Sequence, residues 1–113
     1  EFAEVSVGCE ACHGPGSAHA AQPQRVALPT LAAPKDQLNA CARCHSRRSQ
    51  LAEGFTPAHN YLDYYVPALL DPGLYHPDGQ INDEVFVYGS FMQSKMQRAG
   101  VTCTNCHEPH SAS

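Results

Sequence analysis

Three short segments of this 113-residue chain repeat a pattern of two cysteines, separated by two residues and followed directly by a histidine. They are Cys9-Glu10-Ala11-Cys12-His13, Cys41-Ala42-Arg43-Cys44-His45 and Cys103-Thr104-Asn105-Cys106-His107. In this pattern the two thiols can form thioethers with the vinyl groups of a haem, and the histidine can bind its iron. The three motifs use all six cysteines of the chain, and they predict three covalently attached haem c groups.

Two other uses of paired cysteines do not account for the histidines. Cys-x-x-Cys pairs can build a zinc site of four thiolates, but three pairs leave one pair over in a single site. Six cysteines in a small exported chain can also form three disulfides. Neither alternative requires His13, His45 and His107, so the sequence favours haem over zinc and over a disulfide framework.

Each iron can take a second protein ligand, and four histidines lie outside the motifs: His19, His59, His76 and His110. An iron with two protein ligands is closed and suits electron transfer, whereas an open face admits small molecules. Four spare histidines for three irons favour closed, bis-histidine haems. We predict His19, His76 and His110 as the distal ligands, with His59 as the alternative.

The spacing of His107 and His110 restricts their pairing. Residues three apart on a helix or turn lie on the same side of the backbone, so the two imidazoles cannot easily take opposite faces of one haem. His110, as a ligand, should therefore bind a different haem from His107. Such cross-ligation would tie the three haems into one compact cluster.

The elements that position the motifs are predicted to be mostly α-helix with extensive irregular coil and no significant sheet. Helical turns within residues 3–13 carry the first motif, and a helix from Asp36 to about Leu51 carries the second. Apolar residues spaced three and four apart predict a helix over residues 84–99, with Asp83 as its N-cap. Residues 20–34 are expected to form an extended loop, and residues 55–82 an irregular segment that wraps a haem.

Length and composition indicate one domain over residues 1–113, with a thin protein core. The chain has no tryptophan, nine prolines and eight glycines. Haem groups would supply the missing apolar surface, so the haem-free chain is expected to be largely unfolded. Arg43, Arg47 and Arg48 are predicted either to lie on a solvated helix face or to pair with haem propionates.

Charge and hydropathy restrict the class of partner and the compartment. A formal charge of −4 argues against nucleic acid as a partner, and no segment is apolar enough to span a membrane. Covalent haem attachment occurs outside the bacterial cytoplasm, which predicts a periplasmic or extracellular protein. Because no signal peptide begins the chain, we expect a mature form or an excised piece of a longer protein.

Two segments of the chain resemble bacterial multihaem cytochromes c. The stretch from Val7 to His19, with its Cys-His-Gly-Pro-Gly-Ser-Ala-His sequence, resembles the first-motif segment of members that include tetrahaem electron acceptors of hydroxylamine oxidation. The stretch from Asp78 to Ser111, with Cys-His-Glu-Pro-His near its end, is similar to the haem region of multihaem cytochromes that often carry tetratricopeptide repeats. This chain has neither that repeat region nor a fourth haem motif.

The resemblance implies periplasmic electron transfer through bis-histidine haems. It also implies that His19 and His110 are distal ligands of neighbouring haems, and it gives weaker support to His76. The expected partners are redox proteins that donate and accept electrons; self-assembly or contact with neighbouring haem domains is a further partner hypothesis.

The alternative function is that of an enzyme that reduces a small nitrogen or sulfur oxyanion at one open-faced haem. A sensor or scaffold domain is the third hypothesis.

Overall fold

The computed structural model describes residues 6–111, which form short helices joined by long irregular segments. The α-helices of this part are α1 (Cys9–His13), α2 (Ser17–Ala21), α3 (Pro34–His45), α4 (Tyr88–Gln93) and α5 (Lys95–Arg98). The remaining elements are 3-10 turns at Tyr61–Asp63 and Cys103–Asn105 and strands β1 (Arg48–Gln50) and β2 (Tyr65–Pro67). The prediction of mostly helix and coil is confirmed, with one small sheet added.

Helix α3 is shorter than the sequence predicted. It begins at Pro34, where proline fits the first helical turn because it needs no backbone N–H there. It ends at His45 because Ser46 is extended, with φ −135° and ψ 144°, and its hydroxyl donates to the Ala42 carbonyl at 2.6 Å. The predicted continuation to Leu51 is therefore wrong, and the chain turns into strand β1 instead.

Strands β1 and β2 pair antiparallel, with Arg48 opposite Pro67 and Gln50 opposite Tyr65. The Arg48 guanidinium lies 4.0 Å from the centre of the Tyr65 ring, and its Nε donates to the Arg43 carbonyl at 2.8 Å. A cation over an aromatic face is stabilising. Arg48 thus lies on the sheet beyond the end of α3, and the prediction that places it on a solvated helix face is wrong.

The predicted helix over residues 84–99 is divided into α4 and α5. Ser94 is extended, with φ −73° and ψ 157°, and its hydroxyl accepts from Gln97 N–H as the N-cap of α5. Asp83 does not cap a helix, because α4 begins only at Tyr88; its carboxylate lies 3.1 Å from the Arg47 guanidinium. Phe86 takes a positive φ of 59°, which the helix cannot include. The predicted continuous helix is therefore interrupted at Ser94 and at Phe86.

The protein core is small and aromatic. Tyr61 and Tyr65 are buried, their ring centres lie 5.2 Å apart, and Ala42 of α3 packs against them. Partly buried aromatic side chains complete the cluster: Phe55, Tyr64 and Tyr88. Tyr61 N–H donates to the Asn39 side chain at 3.1 Å, which ties the turn at Tyr61–Asp63 to α3. Apart from this turn and β2, residues 55–82 are irregular, as predicted.

The chain has a larger accessible surface than a typical folded protein of its mass. Its accessible area is 8278 Å², against about 6,100 Å² for a folded protein of this mass. Its radius of gyration is 15.8 Å, against about 13 Å for a domain of this length. Large apolar side chains such as Val7, Leu69 and Val87 are more than half exposed. Much apolar surface thus stays uncovered by protein.

Within residues 6–111, no helix combines the length and apolar character needed to cross a membrane.

Candidate functional site

All three Cys-x-x-Cys-His motifs lie on helical turns. The first motif is α1, and Gly14 ends that helix with a positive φ of 76°, which glycine adopts without strain. The second motif is the last turn of α3. In the third, the backbone N–H groups of Cys106 and His107 both donate to the Cys103 carbonyl, at 3.2 and 3.0 Å. Because helical residues i, i+3 and i+4 share a face, α1 and the last turn of α3 each present two thiols and an imidazole on one side.

The third motif is held against the helix that carries the second. The side-chain oxygen of Gln37 accepts hydrogen bonds from the hydroxyls of Thr102 and Thr104, the latter at 2.8 Å. Gln37 and Cys41 are four residues apart on α3 and therefore lie on the same face. This contact brings the turn at Cys103 alongside Cys41.

The Cys41 thiol is influenced electrostatically by cysteines of all three motifs. Burial first, and then the neighbouring thiols of Cys103, Cys12 and Cys44, raise the pKa of the Cys41 thiol to about 12. Unfavourable interaction between neighbouring thiolates disfavours ionisation of any one of them. Cysteines from all three motifs thus lie within electrostatic reach of one thiol.

Two of the predicted ligands, His13 and His110, are brought together from opposite ends of the chain. Their ring centres lie 6.2 Å apart, and their planes are inclined by only 8°. The Nδ1 atom of His13 lies 2.7 Å from the Pro29 carbonyl, and that of His110 lies 3.1 Å from a carboxylate oxygen of Glu108. Among residues 6–111, no other two histidine rings are in contact.

His19 lies on α2 and is partly buried. Its Nδ1 lies 2.5 Å from the Val26 carbonyl, in the loop that follows the helix. Because a carbonyl only accepts, this contact places the proton on Nδ1 and leaves Nε2 with a free lone pair. Metal-binding histidines are commonly oriented by such a bond. This orientation suits the predicted role of His19 as a ligand, and no second imidazole within residues 6–111 is in contact with it.

The other predicted distal ligands, His59 and His76, are exposed. The His59 ring stacks on Tyr64 with ring centres 5.2 Å apart. His76 starts a tight turn that Gly79 N–H closes on the His76 carbonyl at 2.9 Å, and it lines an open cavity of 550 Å³. The motif histidines His45 and His107 are exposed as well.

The donor groups present are of the kinds that attachment of haem c requires. The six cysteines are free thiols, as thioether formation requires. Within residues 6–111, no three or more His, Cys, Asp or Glu side chains are arranged to hold a metal ion. A haem iron needs only axial protein ligands, because the macrocycle supplies its other four. Paired thiols beside a histidine suit that group.

Sequence reasoning missed the residues that position the site. They are Gln37, Thr102 and Glu108, which act through hydrogen bonds. Thr102 and Asn105 cap the third turn reciprocally, and a threonine followed three residues later by a side chain that can bond back is a recognisable capping pattern. Gln37 gives no comparable local signal, because its partners lie more than sixty residues away in the chain.

Comparison of the chain with protein-family models, with curated proteins and with solved structures found no match. The resemblance of the motif segments to multihaem cytochromes c therefore stays a prediction from the residues themselves.

Proposed function

We propose that this chain is an electron-transfer domain that carries three haem c groups and acts in the periplasm or outside the cell. The observation that supports the proposal most directly is that side-chain contacts hold the three motifs together: Gln37 accepts from Thr104 at 2.8 Å, and the ring centres of His13 and His110 lie 6.2 Å apart. Attachment sites this close together would hold three redox centres within one small domain. A compact cluster is the arrangement that electron transfer between haems needs.

The protein side chains have distinct roles in this proposal. The six motif cysteines attach the groups, and His13, His45 and His107 bind iron from the proximal side. Bound haem iron supplies reversible one-electron chemistry, with a potential set by axial ligands, burial and hydrogen bonds. His19, His76 and His110 are the proposed distal ligands, with His59 as the alternative. Gln37 holds the second and third attachment sites side by side.

Charge favours particular partners. The chain has a formal charge of −4, to which haem propionates would add. Opposite charge speeds encounter and aligns two proteins, so we propose redox partners with a basic docking surface.

Of the three arginines predicted to meet haem propionates, Arg47 pairs with Asp83 and Arg48 covers Tyr65. Arg43 is therefore the one proposed to meet a propionate.

The proposal is tested on protein produced in a bacterial host that attaches haem c outside the cytoplasm. Its mass should exceed that of the 12.2 kDa chain by three haem groups. The variant Cys103→Ala/Cys106→Ala should carry two, which controls for the assignment of the motifs. A chain that acquires no covalent haem would rule the proposal out.

Electron paramagnetic resonance of the oxidised protein, with carbon monoxide added after reduction, then separates the two haem functions. Three low-spin irons that bind no carbon monoxide would support electron transfer through closed haems. A high-spin iron that binds carbon monoxide would instead support the oxyanion-reductase alternative, which needs an open coordination position.

A further inference from the structure

The ring centres of His13 and His110 have the separation expected for two ligands of one metal ion. Two imidazoles that bind one metal from opposite sides, each through a bond of about 2 Å, have ring centres roughly 6 Å apart. The observed separation is 6.2 Å, and the planes are parallel to within 8°. One histidine ends α1 and the other follows the third motif, so no local sequence pattern dictates this approach.

Hydrogen bonds leave the same nitrogen free on both rings. The Pro29 carbonyl can only accept, so His13 donates from Nδ1. The Glu108 carboxylate likewise accepts from Nδ1 of His110, and the backbone N–H of His110 donates to the same oxygen at 3.0 Å. A neutral imidazole protonated at Nδ1 has its lone pair on Nε2. A carboxylate or carbonyl on Nδ1 is the usual support of a metal-binding histidine.

We infer that His13 and His110 are the two axial ligands of one iron, that of the haem attached at Cys9 and Cys12. This inference rests on the proposed function, and it goes further by assigning one distal ligand to one haem. The C-terminal segment then closes the N-terminal haem, although the third motif is only three residues away. His107 would need a different distal partner.

The test uses the full chain and asks which haem opens when His110 is removed. In His110→Ala, one of the three irons should become high-spin and bind carbon monoxide after reduction. A haem held by a single thioether keeps one vinyl group, and its absorption bands move. The band of the carbon monoxide complex should therefore move in Cys9→Ala/His110→Ala and stay in place in Cys103→Ala/His110→Ala. The matched control, Cys9→Ala alone, should bind no more carbon monoxide than the unsubstituted chain.

The outcomes separate this inference from the proposed function. A moved band only with Cys9→Ala supports the pairing, whereas a moved band with Cys103→Ala overturns it. His110→Ala protein with three low-spin irons also overturns the pairing and leaves electron transfer standing. Protein without three covalent haems, as determined by mass, rejects the proposed function itself.

A second set of variants covers the case in which a single-thioether protein does not fold. Cys9→Ala/Cys12→Ala should retain two haems, and adding His110→Ala should open neither of them. Cys103→Ala/Cys106→Ala should also retain two haems, and adding His110→Ala should open one. The reverse pattern would overturn the pairing.

Discussion

Gln37 and Thr104 are joined by a hydrogen bond of 2.8 Å, although they lie 67 positions apart in the chain. The same amide oxygen accepts from the buried Thr102 hydroxyl. This single side chain therefore connects the helix of the second motif to the turn of the third.

Replacing Gln37 with alanine should loosen that connection. The substitution leaves the Thr102 hydroxyl without its acceptor, and an unsatisfied buried polar group costs about 1–3 kcal/mol. We expect the free energy of unfolding, measured by urea denaturation, to fall by about that amount. If haems are present as proposed, coupled circular dichroism bands of the second and third haems should also weaken.

The control is Gln93→Ala. The Gln93 side chain is exposed and donates to the Gly89 carbonyl one helical turn away. Its loss should therefore leave the unfolding free energy and the circular dichroism bands nearly unchanged. Equal effects of the two substitutions would show that Gln37 does not join the motifs.

Ser46 and Tyr61 form a buried chain of hydrogen bonds. The Ser46 hydroxyl donates to the Ala42 carbonyl, so its oxygen accepts from the Tyr61 hydroxyl at 2.6 Å. Ser46→Ala leaves that buried phenol without its hydrogen-bond partner and should lower the unfolding free energy by about 1–3 kcal/mol. Ser46→Ala/Tyr61→Phe contains no unpaired phenol, so its loss of unfolding free energy should be smaller than the sum of the two single losses.

Urea denaturation of the four proteins measures this coupling, and Ser49→Ala, at an exposed serine of β1, serves as the control. Strictly additive losses would mean that the two hydroxyls do not depend on one another.

Gly89 lies against the buried Tyr75. A Cβ atom at position 89 would lie 2.6 Å from the Tyr75 hydroxyl oxygen, closer than real contacts allow. Overpacking costs about 1–3 kcal/mol, against roughly 1 kcal/mol that alanine gains over glycine in a helix. We therefore expect Gly89→Ala to destabilise the protein by about 1 kcal/mol in thermal or urea unfolding.

The Tyr75→Phe background tests the cause of that loss, because it removes the hydroxyl that the new methyl group would meet. There Gly89→Ala should be neutral or stabilising. An undiminished loss in this background would assign the effect to some other contact.

Tyr88 should make stability fall at alkaline pH. Burial first, and then the neighbouring Tyr61, raise the pKa of Tyr88 above its ordinary value of 10. The folded state thus holds the phenol proton more tightly than the unfolded state. The resulting stabilisation is complete below about pH 10 and is lost as the pH rises through the folded-state pKa.

Removal of the Tyr88 hydroxyl should weaken this dependence. We expect the unfolding free energy of Tyr88→Phe to decrease less steeply above about pH 10 than that of the unsubstituted chain. Urea titrations at several alkaline pH values measure the slope, with a series near pH 8 as the reference. Identical slopes would show that Tyr88 is not the group responsible.

Local sequence patterns predicted the parts of the site that depend on neighbouring residues. A Cys-x-x-Cys-His segment on a helical turn places its three functional side chains on one face, as in α1 and at the end of α3, and a 3-10 turn begins the third segment. The irregular segment after α2 was also predictable, because repeated prolines there exclude regular structure. These features follow from backbone geometry within a few residues.

The misplaced boundaries have the opposite origin. Helix α3 ends early because strand β1 pairs with β2, well ahead in the chain. The stretch at residues 83–87 is not helical, and there Arg47 engages Asp83 through its side chain and the Val85 carbonyl through its backbone N–H. No window of local sequence contains these partners, so apolar periodicity alone overestimated both helices.

The sequence by itself determined the three paired-thiol motifs, their histidines, the scarcity of core-forming residues and the set of spare histidines. Only the tertiary structure joined Gln37 to Thr104 and brought the His110 ring parallel to that of His13. The physical reason is that ring contacts and side-chain hydrogen bonds between distant segments depend on how the chain packs. Spacing along the chain specifies only what lies within a few turns.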